Sequence, residues 1–441
     1  MRIGLFTDTY QPSINGIVFV VESLKRELEN LGHEVYVFCP AKSMSPSKQA
    51  ELLNEDSDSR IIRFPSIKGA FFDDYDTSVF FPPAVQRRIK EMELDMVHVF
   101  TPSQIGLVGV KAAKKNNIPL VIQHCTDIYE FVDHYPAVLP GALALAGIVF
   151  PMSVRLRGHD LLEIAKLYKP RAGVTKWNKD IIESVITILY SKADAVIALC
   201  RKSCKQLKSW QYDDYHYELV LMPNGVNALP RPTKTEVKAF REQWNLAEDD
   251  EVFGFVGRLG EEKNLPLLIK SFERHIAKKR PKAKLLFVGD FEYRKTLEEM
   301  AAATKYADRI IFTGAMPREK LGLAYSVLDV FAFPSLKDTQ GWVLHEAAHA
   351  GLPIVLVDKE LSEVVQDGVN GFIANDNPTS FGRAIIALLE DANKRQEFGA
   401  ISKKLAAKFT ESRQVKKLEK LYQELIDQKA ADESHDPDLD A

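Results

Sequence analysis

The strongest constraint in this sequence is an alternation that runs twice. Short apolar runs of strand length take turns with longer runs whose apolar residues recur at helical spacing. In the first stretch the strands are Arg2–Thr7, Glu34–Phe38, Arg60–Phe64, Met96–Phe100 and Leu120–Gln123, with helices over Val18–Leu31 and Gln104–Asn117. The pattern then restarts. Strands fall at Glu251–Gly257, Lys284–Val288, Arg309–Phe312, Val330–Pro334 and Ile354–Val357, and helices at Leu265–Lys278, Tyr293–Thr304, Arg318–Val327 and Val343–Ala350. Strands separated by helices pair in parallel, with the helices covering the sheet. The expected fold class is therefore α/β: two Rossmann-like domains facing across a cleft. Their junction is Met222–Pro232 (MPNGVNALPRP), which gives domains 1–222 and 223–410. A last amphipathic helix covers Gln414–Gln428 within 411–429, and 430–441, with five acids, is expected to be a solvated, disordered tail.

Composition removes several classes. Lys plus Arg is 58 and Asp plus Glu 61, so the net charge is −3 and a globally basic nucleic-acid binder is excluded. Four cysteines cannot make a disulfide framework, and Cys200 and Cys204 have no second Cys/His pair at zinc spacing, so no metal site is expected. The opening run meets polar residues at once and reads as a buried strand, not a secretion signal. The nearest approach to a membrane span, 137–154, contains Pro140 and Pro151. The Asp-x-Asp pairs at Asp56/Asp58, Asp74/Asp76 and Asp438/Asp440 lie in loops or the tail and read as accidental.

In open parallel sheets ligands bind beyond the carboxyl ends of the strands, so the chemistry is sought in the loops that follow them. The first strand runs into Thr7-Asp8-Thr9-Tyr10-Gln11-Pro12-Ser13-Ile14-Asn15-Gly16 and then a helix. Gly16 lets a ligand approach the backbone, and the helix N-terminus favours an anion such as phosphate; the plainer reading is an Asn-Gly turn. The dinucleotide fingerprint is not present there. The first strand of the second domain ends in Gly257-Arg258-Leu259-Gly260-Glu261-Glu262-Lys263-Asn264. A guanidinium and an ammonium five residues apart, ahead of a helix, suit a diphosphate. The third loop, Asp338-Thr339-Gln340-Gly341, opens a helix that carries Glu346. Gly341 leaves helix N–H groups for an anion, and two carboxylates suit the hydroxyls of a sugar and the cis-diol of a ribose. Val343, Leu344 and Ala347 are apolar around Glu346, so it should be half-buried and in need of a partner.

Seven segments in this order carry a resemblance: TDTYQPSINGI (7–17), SKADAVIAL (191–199), PNGVN (223–227), FVGRLGEEKN (255–264), FVGD (287–290), TGAMPREKLGLAYSVLDVFAFPS (313–335) and DTQGWVLHEAAHAGLPIV (338–355). The chain resembles the retaining glycosyltransferases of family four, which have the GT-B fold, over nearly all of 1–428. The opening Thr-Asp-Thr-Tyr and the Thr339-Gln340-Gly341 stretch are most similar to bacterial diacylglycerol glucosyltransferases. The resemblance implies an acceptor-binding first domain, a nucleotide-sugar-binding second domain and a C-terminal helix packing back on the first. It implies transfer of a glucosyl group from UDP-glucose to a diacylglycerol-type lipid with anomeric retention, and no obligatory metal or other cofactor.

By position, Arg258 and Lys263 match the pair that neutralises the donor diphosphate. Glu346 matches the carboxylate on the donor ribose, Gly16 the glycine under the phosphates, and the backbone of Ala315 and Met316 the holder of the base. Asp338, with Thr339, Gln340 and Gly341 beside it, stands where the family has a Glu contacting the transferred sugar. Asp8, Tyr10 and Asn15 fall on the acceptor side. The family also has a histidine after the fourth strand, near the reaction centre. Here that region reads Gln123-His124-Cys125-Thr126-Asp127-Ile128-Tyr129-Glu130. Alignment on Thr126 puts Cys125 at the place, and His124 takes it only if the register shifts by one, because neighbouring strand residues face opposite ways. His124 is assigned the catalytic place; the alternative is a satisfied histidine behind the strand.

A membrane partner is also expected. Residues 136–153 are apolar but broken by Pro140, Gly141, Gly147 and Pro151, and Arg155–Lys208 holds twelve Lys/Arg against five Asp/Glu. An apolar patch beside a basic face suits an anionic bilayer. The expected location is cytoplasmic and peripheral, on the inner face of the membrane. Other readings are a transferase for a soluble sugar or polysaccharide, a GT-B nucleotide-sugar epimerase, and a non-catalytic sugar-nucleotide binder.

Overall fold

The computed structural model describes residues 1–13, 15–41, 58–64, 66–72, 75–78, 83–101, 103–126, 129 and 174–435. The expectations placed on Asp127, Ile128 and Glu130, on the apolar stretch 136–153, on the basic residues 155–171 and on 436–441 lie outside the described residues. The chain divides into two compact units, Met1–Asn224 with Glu411–Ala441, and Gly225–Thr410.

The first unit contains β1 (Arg2–Phe6), β2 (Glu34–Pro40), β3 (Ile61–Phe64), β4 (Ser66–Phe72), β5 (Tyr75–Ser78), β6 (Met96–Val99), β7 (Leu120–His124), β8 (Ala195–Ala198) and β9 (Leu219–Leu221). Its main sheet is parallel, in the order β3-β2-β1-β6-β7-β8-β9, with β4 and β5 forming a separate antiparallel pair. The central strands are buried on both faces, which is why they read as unbroken apolar runs. The four-residue β8 and three-residue β9 were not expected. Helix Gly16–Asn30 buries Val18, Val21, Leu24 and Leu28 and turns a polar face outward.

The long helix Glu411–His435 belongs to this unit and lies against Gly16–Asn30, as the resemblance implies. It is held by a bond between His98 Nδ1 and the Tyr422 hydroxyl at 2.5 Å, by His33 with Glu419 at 2.8 Å, and by the Arg26–Glu411 ion pair. Burial drives His98 down to about 3, so it is neutral in this contact. The helix corrects one expectation. It continues to His435, where a disordered tail was expected from 430. Ala430, Ala431 and Glu433 are strong helix formers and simply extend it.

The second unit contains β10 (Glu251–Val256), β11 (Ala283–Val288), β12 (Ile310–Phe312), β13 (Val330–Phe333), β14 (Ile354–Leu356) and β15 (Gly371–Ile373). They form one parallel sheet in the order β12-β11-β10-β13-β14-β15. The chain steps outward from β10 to β11 and β12, then returns to the other side of β10 with β13. That reversal makes the carboxyl ends of β10 and β13 the switch point where a crevice opens. In the first unit the same reversal falls between β1 and β6.

Three glycines flatten the mouth of the second sheet. Gly257, Gly289 and Gly314 follow β10, β11 and β12, all with positive φ. A Cβ on Gly289 would stand 1.9 Å from the Gly257 carbonyl oxygen, so no side chain fits between these loops. Gly257 N–H donates to the Val288 carbonyl at 2.9 Å and Gly289 N–H to the Gly314 carbonyl at 3.0 Å, lacing the three loops together.

Candidate active site

The loop after β10 and the loop after β13 meet through charge. Lys263 Nζ donates to Asp338 Oδ1 at 2.6 Å, with both side chains 15% exposed. Glu262, only 5% exposed, accepts from Arg258 Nη2 at 3.1 Å and lies 3.9 Å from Lys263. Two cations and two carboxylates thus form one cluster. Burial pushes the Asp338 carboxyl up, but the neighbouring Lys263, aided by Ser335 and the charge of Arg258, outweighs it and holds the group below its ordinary range. The Arg258 guanidinium also lies over the Phe291 ring at 4.5 Å. Among the described residues, Glu262 Oε2 and Asp338 Oδ2 are buried with no hydrogen-bond donor.

Helix Trp342–Ala350 carries Glu346, which is 2% exposed. The expectation that it needs a partner is met twice: Arg318 Nη1 donates to Oε1 at 2.7 Å and the Tyr325 hydroxyl to Oε2 at 2.9 Å. Burial and the facing carboxylate push the Tyr325 hydroxyl well above its ordinary range, so Tyr325 stays a donor. Gly341 caps this helix in a left-handed conformation and supplies no side-chain cap; the Leu344 N–H donates to the Gly341 carbonyl at 2.8 Å, and the Trp342 and Val343 N–H groups ahead of it keep their capacity for an anion. Thr339 is half-buried and Gln340 is buried beside it. Ala315 is exposed and Met316 half-buried, between β12 and the turn that positions Arg318. Among the described residues neither makes a backbone–backbone hydrogen bond, which leaves their peptide groups able to pair with a planar ligand.

In the first unit the residues expected on the acceptor side are bound into the fold. The Asp8 carboxylate accepts from the Ile105 N–H at 2.8 Å, the Gly106 N–H at 3.3 Å and the Thr101 hydroxyl, capping helix Gln104–Lys115. Burial pushes this carboxyl up to about 6, against the pull of those bonds. Asn15 is likewise a cap: Oδ1 accepts from the N–H of Ile17 and of Val18, both at 3.1 Å, while Nδ2 donates to Thr9 Oγ1 at 2.8 Å. Tyr10 is 7% exposed, with Arg63 over its ring at 5.8 Å. So Asp8 and Asn15, expected to bind acceptor, spend their polar groups on holding the loop. Gly16 is different. It is exposed, its φ is ordinary, and a Cβ there would meet nothing within 4 Å, so no feature of the chain requires glycine.

His124, assigned the catalytic place, is tied into the first unit. It ends β7, is 1% exposed, and its Nδ1 bonds the Tyr190 hydroxyl at 2.9 Å with the rings edge to face. Gln123 faces the other way and donates to Asn224 Oδ1 at 3.0 Å and Cys125 Sγ at 3.2 Å. Burial pushes the Cys125 thiol up to about 12, so it is no nucleophile. β7 is buried along its whole length, so no polar alternation marks which residue faces out.

Sequence reasoning passed over Glu262, Arg318 and Tyr325. The Glu261-Glu262 pair next to Lys263 was the available signal for the first; the other two lie 28 and 21 residues from Glu346 and carry none. No group of three or more His, Cys, Asp and Glu that could hold a metal ion occurs among the described residues.

This arrangement of two parallel α/β units with charged loops at a sheet switch point is matched by known families. The family described as "Glycosyl transferases group 1" matches residues 236–405, and "Glycosyltransferase Family 4" matches 14–228. Together they take in most of the chain, and it belongs to these GT-B glycosyltransferases. The chain is 27% identical to an alpha-monoglucosyldiacylglycerol synthase of Acholeplasma laidlawii, covering 97% of this chain and 98% of that one. It is 24% identical to a GDP-mannose-dependent alpha-mannosyltransferase of Corynebacterium glutamicum, covering 85% and 76%. Among solved structures it is similar to a sucrose-phosphate synthase from Thermosynechococcus elongatus, at a TM-score of 0.66 and 17% identity, covering 96% and 98%.

Proposed function

We propose that this glycosyltransferase moves a glucosyl group from UDP-glucose to the hydroxyl of a diacylglycerol-type lipid, with anomeric retention and without an obligatory metal. The observation that carries this reading is the cluster of Arg258 and Lys263 with carboxylates at the switch point of the second sheet. Arg258 and Lys263 take the diphosphate. Its negative charge grows as the glycosidic bond breaks, and cations fixed at the leaving group stabilise that charge as a metal would. Glu346 retains lone pairs beyond its bonds to Arg318 and Tyr325 and accepts from the ribose hydroxyls. The peptide groups of Ala315 and Met316 pair with the base. Asp338 accepts from the sugar hydroxyls, next to Thr339, Gln340 and Gly341. The acceptor oxygen attacks on the face the diphosphate leaves, and its proton passes to the departing phosphate oxygen. That route asks nothing of His124.

The Acholeplasma laidlawii relative supports the glucosyl group and the lipid acceptor. A peripheral place on an anionic cytoplasmic membrane face is supported by helix Arg201–Trp210, which carries Arg201, Lys202, Lys205 and Lys208 and no acid. The Corynebacterium glutamicum relative favours a second reading, mannosyl transfer from GDP-mannose. Radiolabelled UDP-glucose, UDP-galactose and GDP-mannose, each offered to total membrane lipid in detergent, decide between them. An α-glucosylated diacylglycerol from UDP-glucose is expected. Label that enters lipid only from GDP-mannose, or enters only soluble sugars, overturns the proposal. Sedimentation with vesicles of rising anionic content tests the membrane: binding should rise with anionic lipid and fall with salt.

A further inference from the structure

We infer that the Lys263–Asp338 ion pair is an exchangeable latch: Asp338 holds the ammonium that a nucleoside diphosphate takes, and is released to the transferred sugar when the diphosphate binds. This rests on the nucleotide-sugar reading above. The two carboxylates of the cluster are not equivalent. Glu262 is local to the cations, next to Lys263 and four residues from Arg258, and it is folded onto its own loop. A Cβ on Gly260 would come within 2.2 Å of Glu262 Oε2, so that loop has shaped itself around this carboxylate. Asp338 arrives from the loop after β13, 75 residues along the chain, and reaches across to accept from Lys263 Nζ at 2.6 Å, with Ser335 of its own loop as a weaker support. Glu262 is therefore the fixed member and Asp338 the movable one.

The cluster is balanced in charge but incomplete in hydrogen bonding. Glu262 Oε2 and Asp338 Oδ2 are buried without a donor among the described residues. A diphosphate drawn to Arg258 and Lys263 places like charge against Asp338 in a site where solvent screens poorly, so the Asp338–Lys263 contact opens. Sugar hydroxyls are the donors that the released carboxylate lacks. A bare nucleoside diphosphate offers none, and Asp338 then competes to recover Lys263. The latch thus favours the intact donor over the spent nucleotide and helps to expel the latter after transfer.

The test is calorimetric titration of UDP, UMP and UDP-glucose into the full chain as wild type, Asp338→Asn and Asp338→Ser, with GDP run in parallel. Both variants remove the competing charge. UDP should bind about fivefold tighter to each, and UMP, which lacks the second phosphate, should change less than about twofold. The preference of the wild type for UDP-glucose over UDP should collapse. UDP binding that is unchanged or weaker in both variants overturns the latch and leaves the donor reading standing. Failure of both UDP and GDP to bind any of the three proteins overturns both. Should neither variant fold, carbon-13 NMR of the wild-type carboxyl carbons replaces them. The Asp338 signal should shift as UDP saturates the site, and a signal that stays put overturns the latch.

Discussion

Each unit has one aspartate that ties together the two loops at its sheet switch point, and the two ties differ in kind. In the first unit Asp8, after β1, bonds the backbone N–H groups that open the helix after β6. In the second, Asp338, after β13, bonds the side chain of Lys263, after β10. Backbone donors at a helix end have no other partner within the chain, so the first tie is a permanent part of the fold. An ammonium on a four-carbon stem can change partners, so the second tie is one a ligand can open. Equivalent places in two similar sheets therefore serve as architecture in one unit and as chemistry in the other. The type of donor decides which.

The comparison breaks first, if it breaks, at Lys263 and Arg258. Lys263→Ala and Arg258→Ala should each lower kcat by about 100-fold or more at saturating donor, with unfolding temperature little changed, because the lost contacts act on charge that develops in the transition state. Near-full turnover in both would move the chemistry elsewhere. The architectural tie is tested through pH. Burial holds Asp8 at about 6, well above the ordinary range of a carboxyl, so the fold favours the neutral form. Its stabilising contribution is complete below about pH 4 and is lost as the pH rises through 6, roughly 3 kcal/mol in all. Asp8→Asn cannot ionise, so its melting temperature should gain on wild type between pH 4 and 7. A difference that stays constant or narrows would mean that Asp8 ionises there freely.

Smaller effects sharpen the contrast. Glu346→Gln should weaken UDP and UDP-glucose in parallel, by about tenfold, because the ribose is common to both. A loss confined to the intact donor would place Glu346 on the sugar. Asn15→Ala removes a helix cap and should lower stability by about 1 kcal/mol in denaturant titration, with KM for donor nearly unchanged. Gly16→Ala should leave stability equal or slightly higher, since the added Cβ meets nothing, while donor affinity falls a few-fold. Equal donor affinity would remove Gly16 from the phosphate site.

Much of the fold was legible because parallel sheets with helices between their strands leave a coarse, repeated mark on the chain. What stayed hidden was short or uniform. β8, β9 and β15, of four, three and three residues, went unread. The loops that carry the site were legible too, and Arg258, Lys263, Asp338 and Glu346 do stand at the ends of strands or on the helix that follows. Which way His124 faces was not legible, for a definite reason. A strand buried on both faces has no polar alternation to show which side chain looks outward, and one residue of register separates Gln123 from His124.

The sequence by itself determined the layer architecture and the kinds of side chain delivered to each sheet mouth, because periodicity, turn residues and helix starts act within a few residues of one another. Only the tertiary structure decided the partners. Lys263 meets Asp338 across 75 residues, Glu346 meets Arg318 across 28, and the Asp8 carboxylate meets N–H groups 97 and 98 residues on. Those pairings follow from which strands lie side by side at the reversal of each sheet. Strand order is settled by the packing of whole elements, and no local run of residues records it.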